Sequence, residues 1–187
     1  MPAPSEDDLL AFRSAQASLI TGETGVYALC DLDEVPIYVG QSKDGIRSRV
    51  RRHLTSARSD VIANRQIDVW EIAFVWGWPM EGDAHIDALE AHTFHLYHPQ
   101  SPLMNGSIPA EHGPLAFPVP DRLRVQIMSD EEIETRRDPA YRLPRQAEHF
   151  VRLVDHILNV KDSPELRRSL VAHFDRLSAY YDRFLKA

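Results

Sequence analysis

The sequence is short of several things, and each shortage rules something out. Its 187 residues include one cysteine, Cys30, so an internal disulfide and a cysteine zinc site are both excluded. No apolar run reaches the roughly 18 residues needed to span a bilayer, so no membrane partner is expected. The opening MPAPSEDDLL has neither the positive flank nor the apolar stretch of a secretory signal, and with the lone thiol this leads us to expect a cytoplasmic setting. There is no internal repeat and no low-complexity tract. Positive charge is also scarce. The 21 Lys and Arg face 28 Asp and Glu, a net charge of -7, which argues against a general affinity for nucleic acid.

That scarce positive charge is unevenly placed. Between positions 42 and 58 lie Lys43, Arg47, Arg49, Arg51, Arg52 and Arg58, with Asp44 as the lone acid. Acids gather elsewhere, at 6–8, 31–34 and 130–134. Such polarisation suits a cleft that receives an anion.

Periodicity gives an outline. Ser5, followed by three acids, reads as the N-cap of a helix running to about residue 20. Residues 24–30 and 35–40 read as strands joined by the polar turn 31–34. Ile46, Val50 and Leu54 recur every four residues within an expected helix over 44–57. Residues 66–76, rich in β-branched and aromatic side chains on both parities, read as a third strand that Trp78-Pro79 ends. A second clear helix is expected over 83–97, its inward stripe Ile86, Leu89, Thr93 and Tyr97 or Leu96, with Glu90 on that stripe. Ser129 opens a short helix with a capping box. Two amphipathic helices close the chain. One is expected over 145–160, with Phe150, Leu153, Val154, Ile157 and Leu158 inside. The other begins at Ser163-Pro164, with Leu166, Leu170, Phe174, Leu177, Tyr181 and Phe184 inside.

The candidate site lies in GVYALCDLDEVPIYVGQSKDGIRSRVRRHL. Tyr27 and Tyr38 occupy near-mirror triplets, Gly-Val-Tyr and Tyr-Val-Gly, and Arg49 and His53 follow one helical turn apart. Arginine's planar fork grips two phosphate oxygens and stays charged at any working pH. Glu90 on a core-facing stripe would need a cation, a metal or donors, since a buried unpaired carboxylate costs several kcal/mol. His85, His92, His95 and His98 have a spacing that invites a zinc site, but they lie mostly away from the Glu90 stripe and read as surface or loop residues. Trp70, Trp76 and Trp78 read as packing aromatics, and Cys30 as an inert strand thiol.

The ordered set of the two triplets, Arg49, His53, Glu90 and Asn105 resembles the GIY-YIG nuclease superfamily, over about residues 24–106. Valine stands for the middle isoleucine in both triplets. The resemblance implies an α+β domain with a small three-stranded antiparallel sheet flanked by helices. It divides the chain into an N-terminal helix (1–22), a catalytic domain (23–110) and a helical C-terminal region (111–187). It also implies one divalent ion, Mg²⁺ or Mn²⁺, on Glu90. Arg49 would stabilise the pentacovalent phosphate, Tyr27 would be the general base and Tyr38 would orient water or phosphate. His53 would assist, and is the rival for the base because a free imidazole titrates nearer to neutrality than a phenol. Asn105 would brace the site. Lys43 would lower the Tyr27 pKa or touch phosphate, and Arg47, Arg51 and Arg52 would contact the nucleic acid.

The activity so implied is endonucleolytic hydrolysis of DNA by an activated water, in restriction, repair or a mobile element. Two alternatives stay open: an RNA- or branched-structure-directed nuclease with the same site, and a catalytically silent binding module. A homodimer through the last two helices is a further expectation, since one site cutting both strands of a duplex calls for two subunits or two visits.

Overall fold

The computed structural model describes residues 5–55 and 66–186. Arg58 and the last two positions of the helix expected over 44–57 therefore lie outside the described residues. The hairpin forms as its sequence dictates, with β1 (Gly25–Cys30) and β2 (Pro36–Ser42) antiparallel. The Asp31 carboxylate ties the turn by accepting from the backbone N–H groups of Asp33 and Val35, each at 2.9 Å.

The third strand differs from its expectation. β3 is Phe74–Pro79, and the residues before it form a 3₁₀ turn, Val69–Glu71. The Asp68 side chain caps that turn by accepting from Trp70 N–H at 3.0 Å, so local capping wins over strand propensity there. Trp78 and Pro79 lie inside the strand, paired with Val26 and Gly25. Both faces of β3 are covered, as the two-parity apolar pattern suggests. A fourth strand, β4 (Leu123–Gln126), extends the expected three, giving the antiparallel order β2-β1-β3-β4. The sheet thus draws on sequence beyond residue 110.

Because β1 is central, its alternating side chains feed two cores. Val26, Ala28 and Cys30 pack with Trp76, Trp78 and, from α3 (Ile86–Tyr97), Ile86, Leu89 and Phe94. Tyr27 and Leu29 pack on the other face with Ile46 and Val50 of α2 (Ile46–Thr55), and with Ala17 at the end of α1 (Glu6–Ala17). Each such large apolar side chain contributes about 1.5–3 kcal/mol when buried. Ser5 caps α1 through a capping box with Asp8, as its sequence signals.

Beyond the sheet come α4 (Asp130–Arg137), α5 (Pro139–Asn159) and α6 (Pro164–Lys186). Ser129 caps α4 by accepting from Glu132 N–H. α5 starts six residues before its expected position and carries Pro144 within it, with Pro139 in the first turn, where no N–H is missed. In α6 the inward face follows the apolar stripe only at Leu166 and Leu170. Leu166, Ser169, Ala172, His173, Arg176 and Tyr180 are buried, while Phe174, Tyr181 and Phe184 are about half exposed.

A buried ionic cluster explains that rotation. Arg142 of α5, 5% exposed, donates to Glu71 at 2.9 Å and to Asp33 at 2.6 Å, and its guanidinium lies 3.7 Å over the Tyr180 ring. Arg145 bridges Glu71 and Asp68, each at 2.6 Å. Arg176 of α6 pairs with Asp31, which also accepts from the Tyr180 hydroxyl at 2.8 Å. Burial alone would lower the Arg142 pKa, but Glu71, Tyr180 and Asp33 outweigh it and hold the guanidinium above its usual value. The helical C-terminal region is clasped in this way to the β1–β2 turn and to the 3₁₀ turn before β3.

Candidate active site

The site is assembled around the β1–β2 pair. Tyr27 and Gly40 are direct partners across the two strands, and Tyr38 lies two residues from Gly40 on the same face. Tyr27 and Tyr38 have ring centroids 6.2 Å apart, and His53 of α2 lies 5.8 Å from the first and 5.7 Å from the second. The Tyr27 hydroxyl and His53 Nε2 are hydrogen-bonded at 2.7 Å. Both residues are essentially sealed from solvent, at 0% and 1% exposure, whereas Tyr38 is half-buried.

Gly40 makes this packing possible. A Cβ there would stand 2.7 Å from the Tyr27 hydroxyl oxygen and 2.9 Å from the Tyr38 ring. Gly40→Ala is therefore expected to displace both phenols, costing about 1–3 kcal/mol of stability and about 10²-fold in any reaction that depends on their placement. Thermal melts and turnover of the variant check this, and unchanged values for both would refute it.

Tyr38, Arg49, Glu90 and Asn105 line one cleft of about 730 Å³. Asn105 holds the exposed edge of β2 by acting as a second peptide group: its Oδ1 accepts from Val39 N–H at 3.1 Å and its Nδ2 donates to Val39 C=O at 2.6 Å. The bracing expected of Asn105 is thus a two-way bond to the residue between Tyr38 and Gly40. Glu90 is half-buried on α3, and the Gln41 amide donates to it at 3.0 Å and to Asp87 at 2.7 Å. Burial pushes the Glu90 pKa up, the Gln41 bond offsets part of that, and Asp87 adds to the rise.

Other expected residues fall elsewhere. Lys43 pairs with Asp83 at 3.6 Å on the surface and is not among the causes acting on Tyr27. Burial, with Tyr38, pushes the Tyr27 phenol well above its ordinary range, and Arg49, although it bonds the hydroxyl, does not cancel this. Among the described residues, desolvation of the sealed phenol thus exceeds the pull of one guanidinium, and Lys43 takes no part. Arg47 donates to the Ile20 carbonyl at 2.6 Å and with Arg51 borders a separate hollow beside Gly22, and Arg52 is exposed. The histidines of α3 make local contacts. His95 bonds the Pro109 carbonyl at 2.8 Å, and His98 accepts from Leu103 N–H at 3.1 Å. Cys30 is buried, and burial raises its pKa well above the usual thiol value.

Two residues of the hydrogen-bond network around Glu90 and three on the cleft wall were not among the expected site residues. Gln41 directly follows the second triplet, and Asp87 lies three residues before Glu90 on the same helix, so spacing could have found both. Lys161, Ser163 and Glu165, from the connector to α6 and its first turn, border the cleft. No spacing rule points to them.

As a ligand for a hard cation, Glu90 fits. It is a carboxylate facing a polar cleft, raised in pKa by burial, beside a second acid and without an ion pair among the described residues. No group of three or more His, Cys, Asp or Glu side chains converges among the described residues, so an ion on Glu90 would take most of its ligands from water and substrate, as Mg²⁺ commonly does.

Residues 23–103 match the family model of the GIY-YIG catalytic domain. No curated protein matches the chain.

Proposed function

We propose that this chain, which carries a GIY-YIG catalytic domain over residues 23–103 and with it the cleft of a nuclease family, is a divalent-metal-dependent endonuclease that hydrolyses DNA phosphodiesters. The observation that carries the reading is the convergence of Tyr38, Arg49 and Glu90 on one cleft, with the bonded Tyr27–His53 pair behind them. A Mg²⁺ or Mn²⁺ ion held by Glu90 would polarise the phosphate and supply an acidified water.

The protein's own groups then divide the remaining work. Arg49 binds the non-bridging oxygens and gains strength as charge builds on them in the transition state. Tyr38, which faces the cleft, orients the water or the phosphate. Tyr27 and His53 Nε2, bonded at 2.7 Å behind Tyr38, form the proton-accepting pair, and the water's proton reaches them by a relay in which Tyr27 passes its own to the imidazole. The raised Tyr27 pKa makes a free phenolate costly, so the imidazole is the group that stores the proton. Asn105 keeps β2, and hence Tyr38, in register. Lys43, Arg47, Arg51 and Arg52 lie off the cleft and would serve as contacts to flanking backbone phosphates.

Tyr27→Phe tests the proton path. The variant keeps the ring and loses the hydroxyl, and turnover is expected to fall by roughly 10²–10⁴-fold. Near-normal turnover would move the role to His53 alone. The substrate is settled by offering duplex DNA, branched DNA and RNA side by side with Mg²⁺ or Mn²⁺. Preferential cutting of duplex DNA is expected; faster cutting of RNA or of junctions would replace the DNA assignment, and binding without cutting would leave a silent module.

A further inference from the structure

The cleft has two walls of different origin. Tyr38, Arg49 and Glu90 belong to the first; the second is carried by the connector to α6 and its first turn, with Lys161 and Glu165. The family match ends at residue 103, so no motif of that domain describes the second wall.

That wall is fixed to the first. Ser169, fully buried, donates to the Met104 carbonyl at 2.9 Å and accepts from Gln66 Nε2 at 2.8 Å. Arg168 Nε donates to the Asn105 carbonyl at 3.0 Å, and Asn105 in turn is bonded to Val39 on β2. Gly106 lies so close to α6 that an added Cβ would sit 2.9 Å from Glu165 Cβ. These bonds fix the first turns of α6 to the β2 side of the cleft, and Lys161, exposed in the connector just before that helix, lines the same cleft as Arg49 and Glu90. Glu165 in the first turn of α6 is held below the usual carboxylate range by the Ser163 hydroxyl and its own backbone, with a small contribution from Lys161.

A cleft with one cation on each wall fits a polyanion whose charges succeed one another along a strand. Arg49 has the bidentate geometry for the phosphate that reacts, and a lysine point charge suffices for one that is only held. We infer that Lys161 forms a second phosphate subsite, contacting the backbone phosphate next to the scissile one, so that the C-terminal helix completes substrate binding. This rests on the nuclease reading of Glu90 and Arg49.

The test measures binding of a labelled oligonucleotide to the full chain carrying Glu90→Gln, which suppresses cutting, as salt is raised from about 50 to 200 mM. Adding Lys161→Ala is expected to weaken binding about tenfold at the lowest salt and to reduce the slope of log K against log salt by about 0.7–0.9, the share of one phosphate contact. Lys161→Arg should keep the parental slope. Arg152→Gln, which removes an equal charge from α5 away from the cleft, should change neither. An unchanged slope with Lys161→Ala, or an equal loss with Arg152→Gln, overturns the subsite while leaving the nuclease reading intact. No binding at all with Lys161 in place would bring down that reading and the subsite with it.

Discussion

Glu90→Gln should abolish cleavage and, at the same time, raise the melting temperature. The catalytic loss is expected to be roughly 10³-fold or more, because the neutral amide holds a divalent cation poorly and leaves developing charge on the phosphate uncompensated. The gain in stability follows from the direction of the Glu90 pKa. Burial raises it, and the neighbouring Asp87 opposes a second negative charge. A carboxyl whose folded-state pKa lies above its unfolded value favours folding while it is protonated, and that contribution is lost as pH rises through the folded value. At neutral pH the parent therefore folds with a desolvated charge that the variant lacks. At a pH below the unfolded carboxyl value both chains are neutral at this position and the difference should vanish. A gain of about 1 kcal/mol corresponds to about 2–4 °C for a chain of this size. Melts in cation-free buffer at neutral and acid pH, beside a cleavage assay, check both halves. A variant less stable than the parent at neutral pH would show that Glu90 already has its counter-charge within the fold.

Arg142→Ala should produce the largest loss of stability. The guanidinium is 5% exposed and touches Glu71, Asp33 and Asp31, with Glu71 itself 2% exposed. Truncation leaves Glu71 and Asp31 buried with Arg145 and Arg176 as their remaining cations, while the less buried Asp33 keeps Arg137 and Arg183. Removing one partner from a buried ionic cluster costs about 3–5 kcal/mol, far more than the pair itself contributes, because the orphaned charges keep their desolvation penalty. Arg142→Lys is expected to recover only part, since one ammonium cannot reproduce a fork that donates to Glu71 and Asp33 together. Denaturant titration gives the magnitude. A loss below about 1 kcal/mol would mean that the cluster is solvated and does not clasp the C-terminal helices.

What could be read from the sequence followed from periods and ordered spacings. Arg49 and His53 share a helix face because they are four residues apart, and Glu90 lies on the 3.6-residue stripe of its helix; Arg49 and Glu90 line the cleft, while His53 is turned inward to Tyr27. The hairpin was legible from its turn acids. The depth of Tyr27 was not, because a tyrosine in a strand has the same local signature whether its hydroxyl meets water or a sealed imidazole. Beyond Leu166 and Leu170, the inward face of α6 was not legible, for a related reason. Hydrophobic periodicity selects Phe174, Tyr181 and Phe184, but Arg176 and Tyr180 turn inward to reach Asp31, about 145 positions earlier in the chain. The start of β3 was displaced by one side-chain cap, at Asp68, that strand propensity does not weigh. Lys161 illustrates the last gap: an exposed lysine carries no signal until the fold brings it to the cleft that Arg49 also lines.

The central chemical event is attack of water on phosphorus in the cleft. Cleavage of supercoiled plasmid by the parent chain, with Mg²⁺ or Mn²⁺ in ¹⁸O-labelled water, measures it. Nicked or linear product bearing one ¹⁸O on each new terminal phosphate is the predicted result. An uncut plasmid, or cut ends without the label, would contradict it.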